Sequence, residues 1–220
     1  MNRSGLIIHN LPTLSLDDSG KKALHLMNEY RVFHLPLVQK DNYIALISED
    51  DLLDWDTPEE PLSLAEFITF RPAVSVNAHA FEALKIFKDF NLSILPVLDE
   101  QKHYAGAITN DSLINYLTDN NAVNEKGAII ILEMEPHNYS MSEIARLCES
   151  NEINILYSVV KTLAENGMLQ LTIKINKTDV QALVATFERY NYTIVEVFAA
   201  ESYHEDLKQN YDSLMQYLDI

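Results

Sequence analysis

The first half of the chain repeats one pattern of apolar and polar positions. In residues 23–30 apolar side chains recur at three- and four-residue spacing, which predicts a helix with one apolar face, and residues 83–90 follow the same spacing. Short apolar runs at 35–38 and 95–98 each lead into a polar turn, as strands do when they enter a hairpin. A return strand and a second helix follow in both places. Each unit is therefore predicted to fold as β-α-β-β-α.

The two units are copies of one another. Pro36 coincides with Pro96 at a shift of 60 residues, and after the turn Tyr43 meets Tyr104 at a shift of 61. A repeat of this length in only two copies indicates two half-modules that close on each other rather than a solenoid. Because proline lacks an N–H, Pro36 and Pro96 are expected at the starts of their strands, where the gap in the ladder leaves a cleft.

The pattern changes in the second half of the chain. Residues 120–126 are polar and without periodicity, so they are predicted to be a linker. Residues 127–200 alternate strands and amphipathic helices in the order βαββαβ. That order predicts a ferredoxin-like domain, with a four-stranded antiparallel sheet and both helices on one face. An apolar stripe predicts a last helix over 201–220, packed on this domain or on a partner.

Composition and charge restrict the partners of the chain. It carries 33 acidic and 16 basic residues, for a formal charge of −17, and no cluster of Lys and Arg offsets that charge. Nucleic acid and membranes are therefore not expected as partners. Residues 1–16 lack the basic and apolar regions of a secretory signal, and no apolar run reaches the length of a membrane span, so a cytoplasmic protein is expected. The single cysteine, Cys148, excludes an internal disulfide.

The sequence lacks the motifs of common catalytic sites. It contains no Gly-x-Ser-x-Gly elbow, no phosphate-binding glycine-rich loop and no His-Glu-x-x-His helix. Its seven histidines are dispersed, without the paired spacing of metal ligands. Cys148 lies on the apolar stripe of its helix, which is typical of a buried thiol rather than a nucleophile. We therefore expect that the protein is not an enzyme and has no catalytic residues, no cofactor and no bound metal.

Two motifs of the repeat resemble those of the CBS domain, the module named for cystathionine β-synthase. One is Leu-Pro followed by two hydrophobic residues, at 35–38 and 95–98, and the other is Ser-x-x-Asp-Leu after the return strand, at 48–52. The resemblance covers residues 1–60 and 61–119, in register. It implies a CBS-domain pair, or Bateman module, with pseudo-two-fold symmetry and two clefts between its sheets, which in this family commonly hold adenosine nucleotides.

The resemblance also identifies candidate ligand residues in the first cleft. In the family, a Ser or Thr ends the last strand and an Asp three residues later takes the ribose hydroxyls, because a carboxylate can accept two hydrogen bonds from a vicinal diol. Ser48 and Asp51 match this pair, whereas Ala45 stands where the family has a glycine. Alternatively, Asp51 is an ordinary acidic residue in the first turn of a helix. The residues assigned to this cleft are Thr13, His34, Pro36, Ser48 and Asp51.

The second cleft keeps less of the motif. Gly106 and Thr109 match, but Ser112 stands where Asp is usual, so the diol acceptor is missing. Arg71 could meet a phosphate there, and the alternative for the strand-end residues of both clefts is ordinary packing. The residues assigned to this cleft are Arg71, Ala73, Ile94, Pro96, Gly106, Thr109 and Ser112.

The charge around the first cleft bears on the choice of ligand. Acidic residues are dense between Glu49 and Asp56, which disfavours a triphosphate unless Mg²⁺ screens it. A ligand of low charge, such as AMP or adenosine, is therefore preferred to ATP.

The second half of the chain resembles an ACT domain, a regulatory module that often binds amino acids. The resemblance rests on the element order and on the turn at 135–140, in which Asn138 occupies the place of a family glycine. The alternative is a dimerising or purely structural sheet. A CBS pair followed by an ACT-like domain also resembles the domain order of acetoin-utilisation accessory proteins.

Together these features predict an α+β regulatory protein that forms a homodimer. The leading hypothesis is an allosteric sensor, in which an adenine nucleotide (AMP, ADP or ATP) in the CBS-pair cleft changes the dimer or its affinity for an unknown protein partner. The alternative is a protein-interaction or dimerisation module whose ligand clefts are vacant.

Overall fold

The structure, a computed structural model, describes residues 5–199. The chain divides into two compact units, with the boundary between Thr118 and Asp119. The helix predicted over 201–220 lies outside the described residues. No helix between residues 5 and 199 combines the length and the apolar character that a membrane span requires.

The first repeat forms the predicted helix and hairpin. Helix α1 spans Gly20–Tyr30, strands β1 and β2 span His34–Gln39 and Asn42–Ser48, and helix α2 spans Glu49–Leu53. The apolar face of α1 packs against the β1–β2 hairpin in one core cluster, as its residue spacing predicts. In place of the predicted first strand, the first repeat has a single bridge between Leu14 and Leu37.

The second repeat forms all five predicted elements: strand β3 (Val74–Ser75), helix α3 (Ala80–Phe90), strands β4 (Ile94–Leu98) and β5 (Tyr104–Thr109) and helix α4 (Asn110–Asn120). Strand β3 runs parallel to β4, and β5 runs antiparallel to β4. Both hairpins carry a register shift at the same place, after Leu37 in β1 and after Val97 in β4. The two copies therefore share a structural irregularity as well as a sequence pattern.

The expectation that Pro36 and Pro96 start their strands is wrong, since each is the third residue of its strand. Glu49 N donates to Phe33 O at 2.9 Å. Hydrogen-bonded and non-hydrogen-bonded pairs alternate along an antiparallel ladder, so Pro36 falls on a non-hydrogen-bonded pair with β2. Strand β2 therefore does not need the N–H that Pro36 lacks, and the strand continues through the proline.

The two repeats exchange segments and so form one unit. Ile8 and Ala107 exchange two backbone hydrogen bonds of 2.8 and 3.0 Å, which adds residues 6–9 to the edge of β5. Leu46 N donates to Phe70 O at 2.8 Å on the edge of β2. The cores are exchanged too, because Leu46 packs in the cluster of the second repeat and Ala107 in that of the first.

The second unit has the predicted order βαββαβ. Its elements are strand β6 (Ile129–Met134), helix α5 (Met141–Ser150), strands β7 (Ile155–Thr162) and β8 (Leu169–Ile175), helix α6 (Gln181–Arg189) and strand β9 (Thr193–Phe198). The sheet order is β7-β8-β6-β9, with every pair antiparallel. Alternate residues of β6 and β8 are buried against α5 and α6 in a single core. The prediction of a ferredoxin-like sheet with both helices on one face is confirmed.

Candidate functional site

Ser48 and Asp51 form a hydrogen-bonded pair where β2 passes into α2. Ser48 Oγ donates to Asp51 Oδ2 at 2.6 Å and accepts from Asp51 N at 3.1 Å. Ser48 has extended backbone angles, so its hydroxyl also caps the first turn of α2. Both side chains are partly buried. The pair is held in a fixed arrangement that leaves the second Asp51 oxygen, Oδ1, outside this hydrogen bond.

His34 lies opposite Ser48 on the neighbouring strand. Burial lowers the pKa of its imidazole, and the nearby carboxylates of Asp50 and Asp51 oppose that shift. Ser93 of the second repeat anchors the ring, because its N and Oγ atoms lie 3.3 and 3.0 Å from His34 Nδ1. Three residues assigned to the first cleft, His34, Ser48 and Asp51, are therefore brought together.

Thr13 and Pro36 lie farther along the first strand. Pro36 is buried within β1, and its carbonyl accepts from Leu14 N at 2.8 Å. Thr13, next to Leu14, is exposed. The backbone of Thr13 is thus held beside β1, but among the described contacts no hydrogen bond joins its side chain to Ser48 or Asp51.

An open depression of about 510 Å³ adjoins Asp51. Three more carboxylates line it, those of Asp54, Asp56 and Glu66. Trp55 and Phe67 form its apolar wall, in edge-to-face contact with 5.6 Å between ring centroids. Because the four carboxylates repel anions, this side of the cleft suits a ligand with little negative charge.

In the second cleft the N-terminal segment 6–9 lies against the residues that match the motif. Ser112 Oγ donates to Leu6 O at 2.8 Å, and Ser112 is only 5% exposed. Gly106 has a φ of +141°, and a Cβ there would lie 2.8 Å from Ile8 O. Glycine is therefore required for the close approach of this segment. Both residues serve contacts within the protein.

The remaining strand positions of the second cleft are mostly apolar. Ile94, the counterpart of His34, is fully buried and pairs with Thr109 across the hairpin. Pro96 is buried within β4, and Ala73 is partly buried before β3. Thr109 Oγ1 accepts from Ser112 N at 3.1 Å, so its hydroxyl caps α4. This cleft presents neither an imidazole nor a carboxylate at the positions that carry them in the first cleft.

Arg71 lies near Tyr43 of the first repeat. Tyr43 Oη donates to Pro72 O at 3.0 Å, and burial raises the pKa of Tyr43 whereas the charge of Arg71 lowers it. Tyr104 also acts on Tyr43 and begins β5, five residues before Thr109. Among the described contacts none joins Arg71 to Thr109, and the assignment of Arg71 to the second cleft stays a prediction.

The second unit has a depression of about 430 Å³ beside Asn138. It is lined by three carboxylates, those of Glu133, Glu135 and Glu143. Tyr192 Oη donates to Glu143 Oε2 at 2.8 Å, and burial followed by this hydrogen bond raises the pKa of Tyr192 to about 12. Such surroundings repel the carboxylate of an amino acid. Within residues 5–199 no group of three His, Cys, Asp or Glu side chains is arranged to hold a metal ion.

Two residues that contact the clefts lie outside the motifs of the repeat. Ser93 contacts His34 from the second repeat, and the carbonyl of Leu6 accepts from Ser112 across 106 positions of sequence. Neither belongs to a motif of the repeat, and Ser93 aligns with Phe33 at a shift of 60. No signal in a single sequence indicates contacts of this kind, because they arise from the exchange of segments between repeats.

A family model matches the first unit twice. The model, described as the CBS domain, matches residues 4–57 and 65–119. These ranges contain both hairpins and both versions of the Ser/Thr motif, so the match and the geometry concern the same residues.

Two curated proteins are similar in sequence. The chain is 25% identical over 187 residues to an uncharacterised protein of Methanocaldococcus jannaschii, with 77% of this chain and 43% of that protein covered. It is 26% identical over 116 residues to the inosine-5'-monophosphate dehydrogenase of Aquifex aeolicus, with 51% of this chain and 24% of that enzyme covered. The chain thus spans less than half the length of either relative.

Two solved structures resemble part of the chain. One is a CBS domain pair/ACT domain protein of Thermotoga maritima, at 20% identity and a TM-score of 0.46, covering 54% of this chain and 98% of that one. The other is CBSX2 in complex with AMP, at 20% identity and a TM-score of 0.45, covering 52% of this chain and 93% of that one. Both TM-scores are below 0.5, so the domain assignment rests on the family model and on the element order of the described residues.

Proposed function

The chain belongs to the CBS-domain family, and from that premise we propose that it is a regulatory, non-catalytic protein that senses an adenine nucleotide in its first cleft. The observation that carries the proposal is the pairing of Ser48 with Asp51 beside His34. In the second cleft, the matching positions hold Thr109, Ser112 and Ile94. We therefore propose one nucleotide per chain.

Asp51 is the residue proposed to bind the ribose. A carboxylate has room for about four hydrogen bonds, and Ser48 Oγ uses one of them at Oδ2. Two vicinal hydroxyls can thus donate to Asp51 while Ser48 keeps its side chain in place. The ordinary alternative, a carboxylate favoured by the first turn of α2, requires no such ligand.

AMP or adenosine is the ligand that fits the local charge best. Asp51 and three further carboxylates line the adjoining depression, and no Lys or Arg is among the residues that line it. Each additional phosphate would therefore meet repulsion with little compensation, unless Mg²⁺ accompanied it.

Calorimetric titration of the full chain with AMP, ADP, ATP and S-adenosylmethionine tests the proposal. We expect binding of AMP with a stoichiometry near one and weaker binding of ATP. Asp51→Ala should abolish the heat of binding, whereas Asp50→Ala, which removes a neighbouring exposed charge, should retain it. Absence of heat with every ligand, or equal binding by the two variants, would reject the proposal.

A second candidate function is self-association with both clefts vacant. Large apolar side chains are exposed in the first unit, and Phe33, Leu53 and Leu64 are 62%, 66% and 61% accessible. Such residues are typical of surfaces that meet a protein. We propose a second copy of the chain as the occupant. Light scattering should give twice the mass of the chain, and conversion to a monomer by Leu53→Glu combined with Leu64→Glu would support this surface.

A further inference from the structure

The hydrogen bonds between Ser93 and His34 join the two repeats at the first cleft. Ser93 N lies 3.3 Å from His34 Nδ1, and Ser93 Oγ lies 3.0 Å from the same atom. Phe33 N donates to Ser93 Oγ at 2.9 Å. The serine therefore contacts two consecutive residues of the first repeat from a position 59 and 60 residues away in sequence.

These contacts fix the tautomer of His34. A backbone N–H can only donate, so Nδ1, which faces Ser93 N, must act as an acceptor and carry no proton. The hydroxyl of Ser93 already accepts from Phe33, and its own hydrogen is free to donate to the same Nδ1. The neutral ring accordingly carries its proton on Nε2, directed away from Ser93.

The polar groups around the remaining side of His34 belong to the first cleft. Ser48 is its partner across the β1–β2 hairpin, and the carboxylates of Asp50 and Asp51 on α2 lie near enough to influence its charge. A depression on the side of Ser93 is rimmed by Arg31 and Asp111. The charged groups that act on the ring are thus Asp50 and Asp51 of α2, whereas Arg31 and Asp111 line the neighbouring depression.

The arrangement occurs in one repeat only. At the shift of 60 residues, Ile94 replaces His34 and Phe33 replaces Ser93. The pseudo-two-fold symmetry of the repeats is therefore broken at both members of the pair. Ile94, the counterpart of His34, is fully buried and apolar, so burial at this position does not require an imidazole.

We propose that Ser93 is a positioning residue of the first cleft, which holds His34 in the Nε2–H form and so makes the hydrogen-bond donor of that cleft depend on the packing of the second repeat. A second proton on His34 must bind Nδ1, where it faces the backbone N–H of Ser93, which cannot accept a hydrogen bond. Protonation of His34 therefore breaks the hydrogen bond from Ser93 N and requires the Ser93 hydroxyl to change from donor to acceptor. The consequence for ligand affinity rests on the proposed function, whereas the tautomer and the link do not.

Nuclear magnetic resonance of the full chain, with ¹⁵N-labelled histidine, tests the link directly. Above neutral pH we expect the Nε2–H tautomer for His34, identified by its loss in His34→Gln. Ser93→Ala should change the His34 pKa, because the ring loses its hydroxyl partner, and should keep the Nε2–H tautomer, because the backbone N–H of residue 93 still faces Nδ1. Ser93→Thr, which keeps the hydroxyl, should restore the wild-type titration. A wild-type Nδ1–H tautomer, or an unchanged titration in Ser93→Ala, would overturn the proposal.

Titration of the same samples with AMP separates this inference from the proposed function. If the wild type binds AMP, Ser93→Ala should weaken binding and change its pH profile, and Ser93→Thr should recover both. Unchanged affinity and pH profile in Ser93→Ala would overturn the role of Ser93 in the cleft. If the wild type binds no nucleotide, the proposed function fails, and the tautomer and pKa of His34 still decide whether Ser93 positions the ring.

Discussion

Ser112 Oγ donates to Leu6 O at 2.8 Å, and this hydrogen bond distinguishes the second cleft from the first. A hydroxyl has a single hydrogen to donate, and both acceptors within reach of this one, Leu6 O and Thr109 O at 3.1 Å, are backbone carbonyls of the protein. The same oxygen accepts from Thr109 N at 3.0 Å. Where the first repeat has the carboxylate of Asp51, the second has a buried hydroxyl whose hydrogen bonds are made within the protein.

Restoring the motif in the second repeat should therefore damage the fold. In Ser112→Asp, a carboxylate that cannot donate would face the carbonyl of Leu6 in a buried position, at an expected cost of about 3 kcal/mol or more. Ser112→Ala should cost about 1–3 kcal/mol, since it leaves the carbonyl without its donor. Urea unfolding measures both. A stable Ser112→Asp that binds a second nucleotide would contradict this reading.

Acidification should destabilise the first unit through His34. In the folded chain, burial lowers the pKa of His34 from its ordinary value of 6.5. The carboxylates of Asp50 and Asp51 act in the opposite direction and offset part of the shift. Between that value and the lowered one the unfolded state binds more protons, so the stabilisation is present above pH 6.5 and is lost as the pH falls below it. Urea unfolding across this range should show a shallower pH dependence in His34→Gln than in the wild type, and equal slopes would contradict the prediction.

Much of the fold can be predicted from the periodicity of apolar residues, because each apolar stripe is local in sequence and lies within one repeat or within the βαββαβ domain. Strands β1 and β4 and helices α1 and α3 lie where the spacing of apolar residues places them. The position of Pro36 within its strand does not follow from sequence, since it depends on which pairs of the ladder are hydrogen-bonded. Proline marks a missing donor, and only the register shows whether the donor is needed.

The site was harder to predict than the fold. Ser48 and Asp51 are three residues apart and form a local cap, so their contact can be inferred from the motif. The contact of His34 with Ser93 depends on how two repeats pack, which their similarity to each other does not reveal.

Cys148 should be inert until its helix opens. It is fully buried in the core of the second unit, where burial and then the charge of Glu149 raise the pKa of its thiol to about 11. Only the thiolate reacts, and at pH 8 a thiol with this pKa is ionised in about one molecule in a thousand. Labelling with a chromogenic disulfide reagent should be slow in the native chain and fast in denaturant, with Cys148→Ala as the blank. Rapid native labelling would contradict a core position.

Gly106→Ala should detach the N-terminal segment from the second repeat. The added methyl would meet Ile8 O at 2.8 Å, on a residue whose φ of +141° side chains rarely adopt, so we expect a loss of about 2–4 kcal/mol in unfolding free energy. Ala45 is the matched position in the first repeat, and Ala45→Gly should cost only about 1 kcal/mol. Hydrogen exchange of the Ile8 and Ala107 amides, whose mutual bonds hold the segment, should accelerate in Gly106→Ala alone. Equal exchange in the two variants would show that the segment is held by other contacts.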